Sequence, residues 1–330
     1  MMECLNGGKD KNSKLYNSKL KHWKLKGMGD NKYNYALGAL KLIAAFEVVW
    51  IHFGKGVFGL RLAVPVFMFV SFYLLGCRGE FSVGDRARRL LIPFWFWGII
   101  YCVIGVVSEG KFDWARIAYQ LTLGSTYCAP LYFVMLMVLF TILVGFVKQG
   151  VALAGIAVLA LVASYCGWNK AFFDATPAPI AYSLGRFAEL LPVAVAGLLY
   201  GRYVKSWRVS WRLGGAAIGF MLVVALKFLH WDCDAGFGYS GAVLLVTATA
   251  LSMLVQTVGE VVGDCRGMLG GMMKQLLAIS STIYFVHIGV GHLVANFVDS
   301  PSVVAGWFAI AGSAVVPIVL WRIPFLRRVV

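Results

Sequence analysis

Long apolar runs alternate with short polar connections along most of the chain after residue 34. Each run approaches the ~20 apolar residues that an α-helix needs to cross the ~30 Å hydrocarbon core of a bilayer. We therefore expect an all-α, polytopic integral membrane protein. The pattern predicts ten membrane-spanning helices, at about 35–53, 57–76, 88–107, 130–147, 150–167, 182–201, 212–229, 240–259, 275–296 and 303–321.

The pattern changes between the third and fourth predicted spans. The stretch KFDWARIAYQLTLGST, residues 111–126, mixes charged, aromatic and aliphatic residues instead of forming an apolar run. This mixture is typical of amphipathic segments in the membrane interface, so we predict that the stretch lies on the membrane surface.

The basic residues predict the orientation of the spans. Lys and Arg are concentrated in alternate connections, and cytoplasmic loops carry an excess of these residues. Both termini are therefore expected in the cytoplasm, which requires an even number of spans. The basic residues of the connections predicted to be cytoplasmic are Arg78, Arg86, Arg88 and Arg89, then Lys148, then Arg202, Lys205, Arg208 and Arg212, then Arg266 and Lys274.

Composition agrees with this interpretation, since 60% of the residues are hydrophobic and only 14% are charged. Residues 1–34 differ, because they form a lysine-rich segment that we expect to be a disordered cytoplasmic tail. Such a tail is attracted to anionic lipid by about 1 kcal/mol per basic residue near the surface. Nucleic-acid binding is not expected, because the rest of the chain is predicted to be embedded in the membrane. We predict a transmembrane domain over 35–322 and a short basic C-terminus over 323–330.

The seven cysteines show no CxxC or Cys/His ligand spacing, so neither a metal site nor redox chemistry is expected. Cys166 and Cys233 would fall near one membrane face, and whether they form a disulfide stays open.

The first predicted helix contains three ionisable residues, Lys41, Glu47 and His52. A charge at the bilayer centre costs about 2.5–3.5 kcal/mol on insertion scales, so these residues are candidates for function. Lys41 and His52 are eleven residues apart, which places them on one helix face with about 16 Å between them. Glu47 points about 140° away from His52.

Each of the three residues has a structural and a functional interpretation. Lys41 either extends to the cytoplasmic interface or has a functional role. His52 either bonds a carbonyl at the outer interface or acts as a general base, since histidine titrates near neutral pH. Glu47 is a candidate catalytic residue, but it can also be protonated or pair with another helix, for example through Arg186.

Later helices contain further charged residues. Arg86 and Arg89 lie on one side of the third helix, where they either anchor the helix or bind a polyanion such as a group of phosphates. Arg186 and Glu189 have the spacing of a local ion pair. His287 is either a buried histidine, satisfied by Ser281, Tyr284 or a neighbouring helix, or a functional group.

Five blocks of the chain resemble motifs of the membrane-bound acyltransferase 3 family. LKLIAAFEVVWIH, with Lys41 and His52, is similar to the family's first helix. VPVFMFVSFYLL, which contains Ser71, is similar to its second helix, with Phe72 in place of a glycine. RARRLLIPFW resembles its Arg-x-x-Arg-Leu-x-x-Pro block. PLYFVMLMVL has Tyr132 where the family usually has Trp, and SSTIYFVH, which ends at His287, resembles Ser-x-x-Ile-Tyr-Leu-x-His.

The resemblance implies an activity. Most members of the family move acyl groups, commonly acetyl from acetyl-CoA, onto extracytoplasmic or lipid-linked sugars. By position, it implies that His52 is the catalytic histidine, either as a general base on a sugar hydroxyl or as a transient acyl acceptor. It also implies that Lys41, Arg86 and Arg89 hold acyl-CoA from the cytoplasmic side. Ser71, Tyr132, Arg186, Glu189 and His287 are further candidate site residues. The expected partner is a saccharide or glycolipid acceptor, and the expected location is the cell membrane.

Two other functions stay open at this point. A transporter or flippase for a lipid-linked or acylated sugar would use the same buried charges as a pathway without acyl chemistry. A membrane partner in a polysaccharide-synthesis complex would have no chemistry of its own. Acetyl and succinyl are alternatives for the acyl group.

Overall fold

A computed structural model of the chain describes residues 35–55, 61–166, 168–228, 242–262 and 268–323. Secondary structure within these ranges is helical, with no strand. The chain from Tyr35 onward forms one compact unit. The basic tail over 1–34, Cys233 and the end of the basic C-terminus over 324–330 lie outside the described residues.

Each of the ten predicted spans overlaps a helix of the structure. The helices are α1 Tyr35–Phe53, α2 Ala63–Cys77, α3 Val83–Glu109, α4 Trp114–Leu123, α5 Tyr132–Phe146, α6 Gly150–Tyr165, α7 Trp168–Ala175, α8 Ala178–Leu184, α9 Phe187–Arg202, α10 Val209–Phe228, α11 Ala242–Val262, α12 Met268–Ala295 and α13 Val303–Arg322. Short 3₁₀ turns at Ala129–Leu131 and Val204–Ser206 precede α5 and α10.

Two differences from the predicted bounds have local causes. Helix α3 begins at Val83, before the predicted start at 88, because the Ser82 hydroxyl accepts the Asp85 N–H at 3.2 Å and caps the first turn. The span predicted over 182–201 is broken, since a turn at Gly185 and Arg186 separates α8 from α9.

The helices are those of a multi-pass membrane protein. Within the described residues, five segments are long and apolar enough to cross a membrane: Tyr35–Phe53, Val83–Glu109, Ala178–Arg202, Val243–Val262 and Val303–Leu320. Five further apolar helices are shorter: Ala63–Cys77, Tyr132–Phe146, Gly150–Ser164, Val209–Ala225 and Ile279–Ala295.

The segment predicted to lie on the surface contains the short helix α4, which Asp113 caps by accepting the N–H groups of Ala115 and Arg116. The loop after α4 is organised by Gln120, which is fully buried. Its Oε1 atom accepts three successive backbone N–H groups, from residues 126 to 128, at 2.9–3.1 Å. This loop leads into α5, which forms one wall of the candidate site described below.

The main chains of α2 and α9 touch at three glycines. Gly197 and Gly201 form a G-x-x-x-G pair on α9; Gly76 of α2 faces Gly201, and the Phe69 main chain of α2 faces Gly197. A Cβ atom at any of these positions would overlap a main-chain carbonyl oxygen of the other helix. Small residues at this spacing allow close packing of membrane helices, and here they fix the position of α2.

We predict that Gly201→Ala destabilises the protein by about 1–3 kcal/mol, because the new methyl group must push α2 away from α9. The measurement is the thermal unfolding midpoint of the purified protein in detergent. Gly155→Ala on α6 is the matched control, since a Cβ placed there meets nothing within 4 Å outside the adjacent residues and main chain of its own helix. Equal midpoints for the two variants would contradict the proposed contact.

Candidate active site

Five helices, α1, α2, α3, α5 and α12, surround a cavity of about 230 Å³. Its polar lining consists mostly of cations, and no acidic residue is among the described residues that line it. We call it the cation cavity. The lining residues used below are Lys41, Ser71, Arg78, Arg86, Arg89, Ser281, Phe67, Phe133 and Tyr284.

Lys41 reaches the cavity from α1. Its Nζ atom donates a hydrogen bond to the Ser281 hydroxyl of α12 at 2.9 Å and lies 5.5 Å from the centre of the Phe67 ring. The ammonium group is therefore held inside the bundle by a neutral hydroxyl and an aromatic face. No acid among the described residues of the cavity lining balances its charge.

Arg86 joins three of the helices. Its Nε atom donates to the Thr141 hydroxyl of α5 at 3.0 Å, and its Nη2 atom donates to the Ser71 carbonyl of α2 at 3.4 Å. The guanidinium also lies 5.2 Å from the centre of the Phe72 ring. Phe72, which replaces a glycine of the family pattern, thus contacts the arginine. Ser71 takes part through its main-chain carbonyl as well as by lining the cavity.

Arg89 and Arg78 complete the cationic lining. Arg89 is exposed, and its Nε atom donates to the Asp85 carbonyl at 3.2 Å. Arg78 caps the C-terminus of α2 and is also exposed. Sequence reasoning placed Arg78 in a basic connection but did not select it as a site residue. It also missed Thr141 as a partner of Arg86, because a single threonine in an apolar helix carries no distinctive signal.

An aromatic cluster forms the inner wall of the cation cavity. The rings of Phe67, Phe133 and Tyr284 lie 5.4–6.2 Å apart, centre to centre. The Tyr284 hydroxyl donates to the Pro130 carbonyl at 2.7 Å, which fixes this ring against the turn before α5. The Tyr284 ring also lies 5.7 Å from the His287 ring, so the cluster separates the cations from a histidine.

His52 and His287 lie side by side, with ring centres 5.3 Å apart and ring planes inclined by 36°. His52 is exposed in the last turn of α1, whereas His287 is fully buried in α12. The His287 Nδ1 atom lies 2.6 Å from the Tyr284 carbonyl oxygen. Lys41 and His52 both face α12, as their common helix face predicts. No local pattern indicated that His287 would meet His52, because the contact joins distant parts of the chain.

Glu47 lies away from this arrangement. Its Oε1 atom accepts the Leu62 N–H at 3.2 Å, just before α2 begins. The side chain lines a second cavity, of about 380 Å³, whose walls are mainly apolar and include Trp50 and Trp307. A catalytic role for Glu47 stays a prediction.

Three further candidates form another cluster. Arg186 and the buried Glu189 are 3.5 Å apart, as their spacing predicts for a local ion pair. The Arg186 guanidinium lies 5.8 Å from the centre of the Tyr132 ring. These three residues are not among those that line the cation cavity.

Within the described ranges, no group of three or more His, Cys, Asp or Glu residues could hold a metal ion. The cysteines whose state is described are free thiols, at Cys77, Cys102, Cys128 and Cys166. Cys233, the suggested partner of Cys166, lies outside the described residues.

A family model described as an acyltransferase domain, Acyl_transf_3, matches residues 34–322. No curated protein and no solved structure matches the chain. The matched range contains all the candidate site residues described above.

We predict that Thr141→Val destabilises the protein by about 1–3 kcal/mol, because it removes the acceptor for a guanidinium N–H inside the bundle. Val preserves the shape of Thr, so the loss is mainly that of the hydrogen bond. The measurement is again the thermal unfolding midpoint in detergent. Thr122→Val, at an exposed position of α4, is the matched control, and an equal or smaller loss at Thr141 would contradict the prediction.

Proposed function

Because this chain belongs to the acyltransferase 3 family, we propose that it transfers an acyl group, acetyl in the first instance, from cytoplasmic acyl-CoA to a saccharide hydroxyl. The acceptor is an extracytoplasmic or lipid-linked saccharide. That the chain is an acyltransferase follows from the family; the donor, the acceptor and the residue roles are the proposal.

The cation cavity carries the proposal for the donor. Lys41, Arg78, Arg86 and Arg89 bring four cationic side chains to one cavity, and no acid among the described residues lines it. Coenzyme A has several phosphates, and guanidinium groups bind phosphate oxygens through charge-assisted, often bidentate, hydrogen bonds. The exposed Arg78 and Arg89 would bind the phosphates first, and Lys41 and Arg86 lie deeper in the bundle.

His52 is the proposed general base. It lies in the last turn of α1, eleven residues and about 16 Å along the helix from Lys41. The long pantetheine arm of the donor would bridge this separation past the aromatic cluster. His52 would then take the proton of the acceptor hydroxyl as the hydroxyl oxygen attacks the acyl carbon.

The proposal includes the orientation of the helices and of the site in the membrane. The contacts Lys41–Ser281 and His52–His287 follow the same order along α1 and α12, as expected for two parallel helices. This agrees with their places as the first and ninth of ten spans. With both termini in the cytoplasm, the cation cavity opens toward acyl-CoA, and His52 lies toward the opposite side. The basic tail would bind anionic lipid of the cell membrane.

We predict that replacing both Arg86 and Arg89 with Ala weakens coenzyme A binding at least about tenfold, because two charge-assisted contacts to phosphate are lost. The measurement is the dissociation constant of coenzyme A for the detergent-solubilised protein. Arg88→Ala is the matched control, since Arg88 is exposed between the two residues and does not line the cavity. If the double variant bound coenzyme A with unchanged affinity, these arginines would serve only to anchor the helix.

We predict that His52→Ala reduces acyl transfer from labelled acetyl-CoA by about 10²- to 10⁴-fold, because the general base is lost. Coenzyme A binding should be retained, since the cation cavity is intact. Full activity in this variant would reject the catalytic role of His52. Movement of a sugar across vesicles by the wild type without any acyl turnover would instead favour a transporter.

A further inference from the structure

His287 has one satisfied and one unsatisfied ring nitrogen. The Nδ1 atom lies 2.6 Å from the Tyr284 carbonyl oxygen, and because a carbonyl oxygen only accepts hydrogen bonds, Nδ1 must carry the proton. In the neutral ring, Nε2 then has a free lone pair. This Nε2 atom is buried and has no hydrogen-bond partner among the described residues. A buried polar atom without a partner costs about 1–3 kcal/mol, so its retention calls for an explanation.

The neighbouring imidazole of His52 explains why the unpartnered Nε2 atom is retained. The His52 ring centre is 5.3 Å from that of His287, and His52 is the exposed member of the pair. Hydrogen bonds between catalytic groups are often long before substrate binds, so a small rotation or one water molecule can connect rings at this separation.

We propose that His287 is a positioning residue for His52. Its Nε2 atom accepts a hydrogen bond from one ring nitrogen of His52, which leaves the other nitrogen unprotonated toward the acceptor hydroxyl. The Tyr284 carbonyl, His287 and His52 then form one chain of hydrogen bonds that ends in a base of defined tautomer. This inference rests on the proposed acyl transfer and assigns the orientation of its base.

The chain of hydrogen bonds accounts for each proton in the reaction. The hydroxyl O–H bond breaks and a new N–H bond forms on His52 while the hydroxyl oxygen bonds to the acyl carbon. The carbon–sulfur bond of the thioester then breaks, and the departing sulfur takes the proton back from His52. His287 keeps its own Nδ1 proton throughout and stabilises the transient imidazolium of His52 through Nε2.

Two substitutions at position 287 distinguish a role of His287 in orienting His52 from a role in packing. His287→Asn keeps a donor near the Tyr284 carbonyl but removes the acceptor toward His52. His287→Gln keeps an acceptor near the position of Nε2. We expect kcat to fall about 100-fold or more in His287→Asn and clearly less in His287→Gln. The dissociation constant for coenzyme A should stay near that of the wild type in both, because the cation cavity is unchanged.

His292→Asn is the matched control, since His292 is exposed on the same helix and its ring contacts Phe53. This variant should lower kcat far less than His287→Asn does. Unfolding midpoints in detergent are measured for all three variants. Wild-type kcat in His287→Asn would overturn the inference. The inference would also be overturned if kcat fell equally in the Asn and Gln variants and in proportion to the fall in their unfolding midpoints. That result would indicate a role in packing alone.

The test also separates this inference from the proposed function. Acyl transfer by the wild type, its loss in His52→Ala and its persistence in His287→Asn would overturn only the role of His287. A wild type that neither binds coenzyme A nor transfers an acyl group would overturn the proposed function and the role of His287 with it.

Discussion

The site depends on holding cations inside an apolar helix bundle without neutralising them. Lys41 is bound by the Ser281 hydroxyl and Arg86 by the Thr141 hydroxyl, and each also contacts an aromatic ring. Neutral hydroxyls satisfy the N–H donors but leave the positive charge in place. Because a charge taken out of water is costly unless it is paired, this arrangement favours binding of an anion that enters the cavity.

A second polar cluster of the same protein shows the contrast. Arg212 on α10 lies 2.5 Å from Glu260 on α11, so this buried cation has an acidic partner. Gln256 connects the pair to the Tyr73 hydroxyl of α2 at 2.9 Å. Here the charge is balanced within the protein, and the cluster joins helices to one another. The cation cavity differs because no acid among its described lining residues balances the charge.

Helix packing brings the two ends of the site into register. The glycine contacts between α2 and α9 fix the helix that carries Ser71 and Arg78. The pairing of α1 with α12 sets both the Lys41–Ser281 contact and the adjacent imidazoles. Between them, the aromatic cluster around Tyr284 divides the cationic part from the histidines. The proposed donor, which is long and thin, suits this division because its charged and reactive ends are far apart.

The sequence by itself determined the class of the protein, since runs of about 20 apolar residues have few stable forms other than membrane helices. It also determined that Lys41 and His52 share one face, because helical geometry fixes that relation within a single element. Tertiary structure alone decided which helices meet that face. Ser281, Thr141 and His287 are distant in sequence from their partners, and no local pattern encodes a contact between separate helices. The ionisable residues of the candidate site were thus readable in the chain, while their partners on other helices depended on packing.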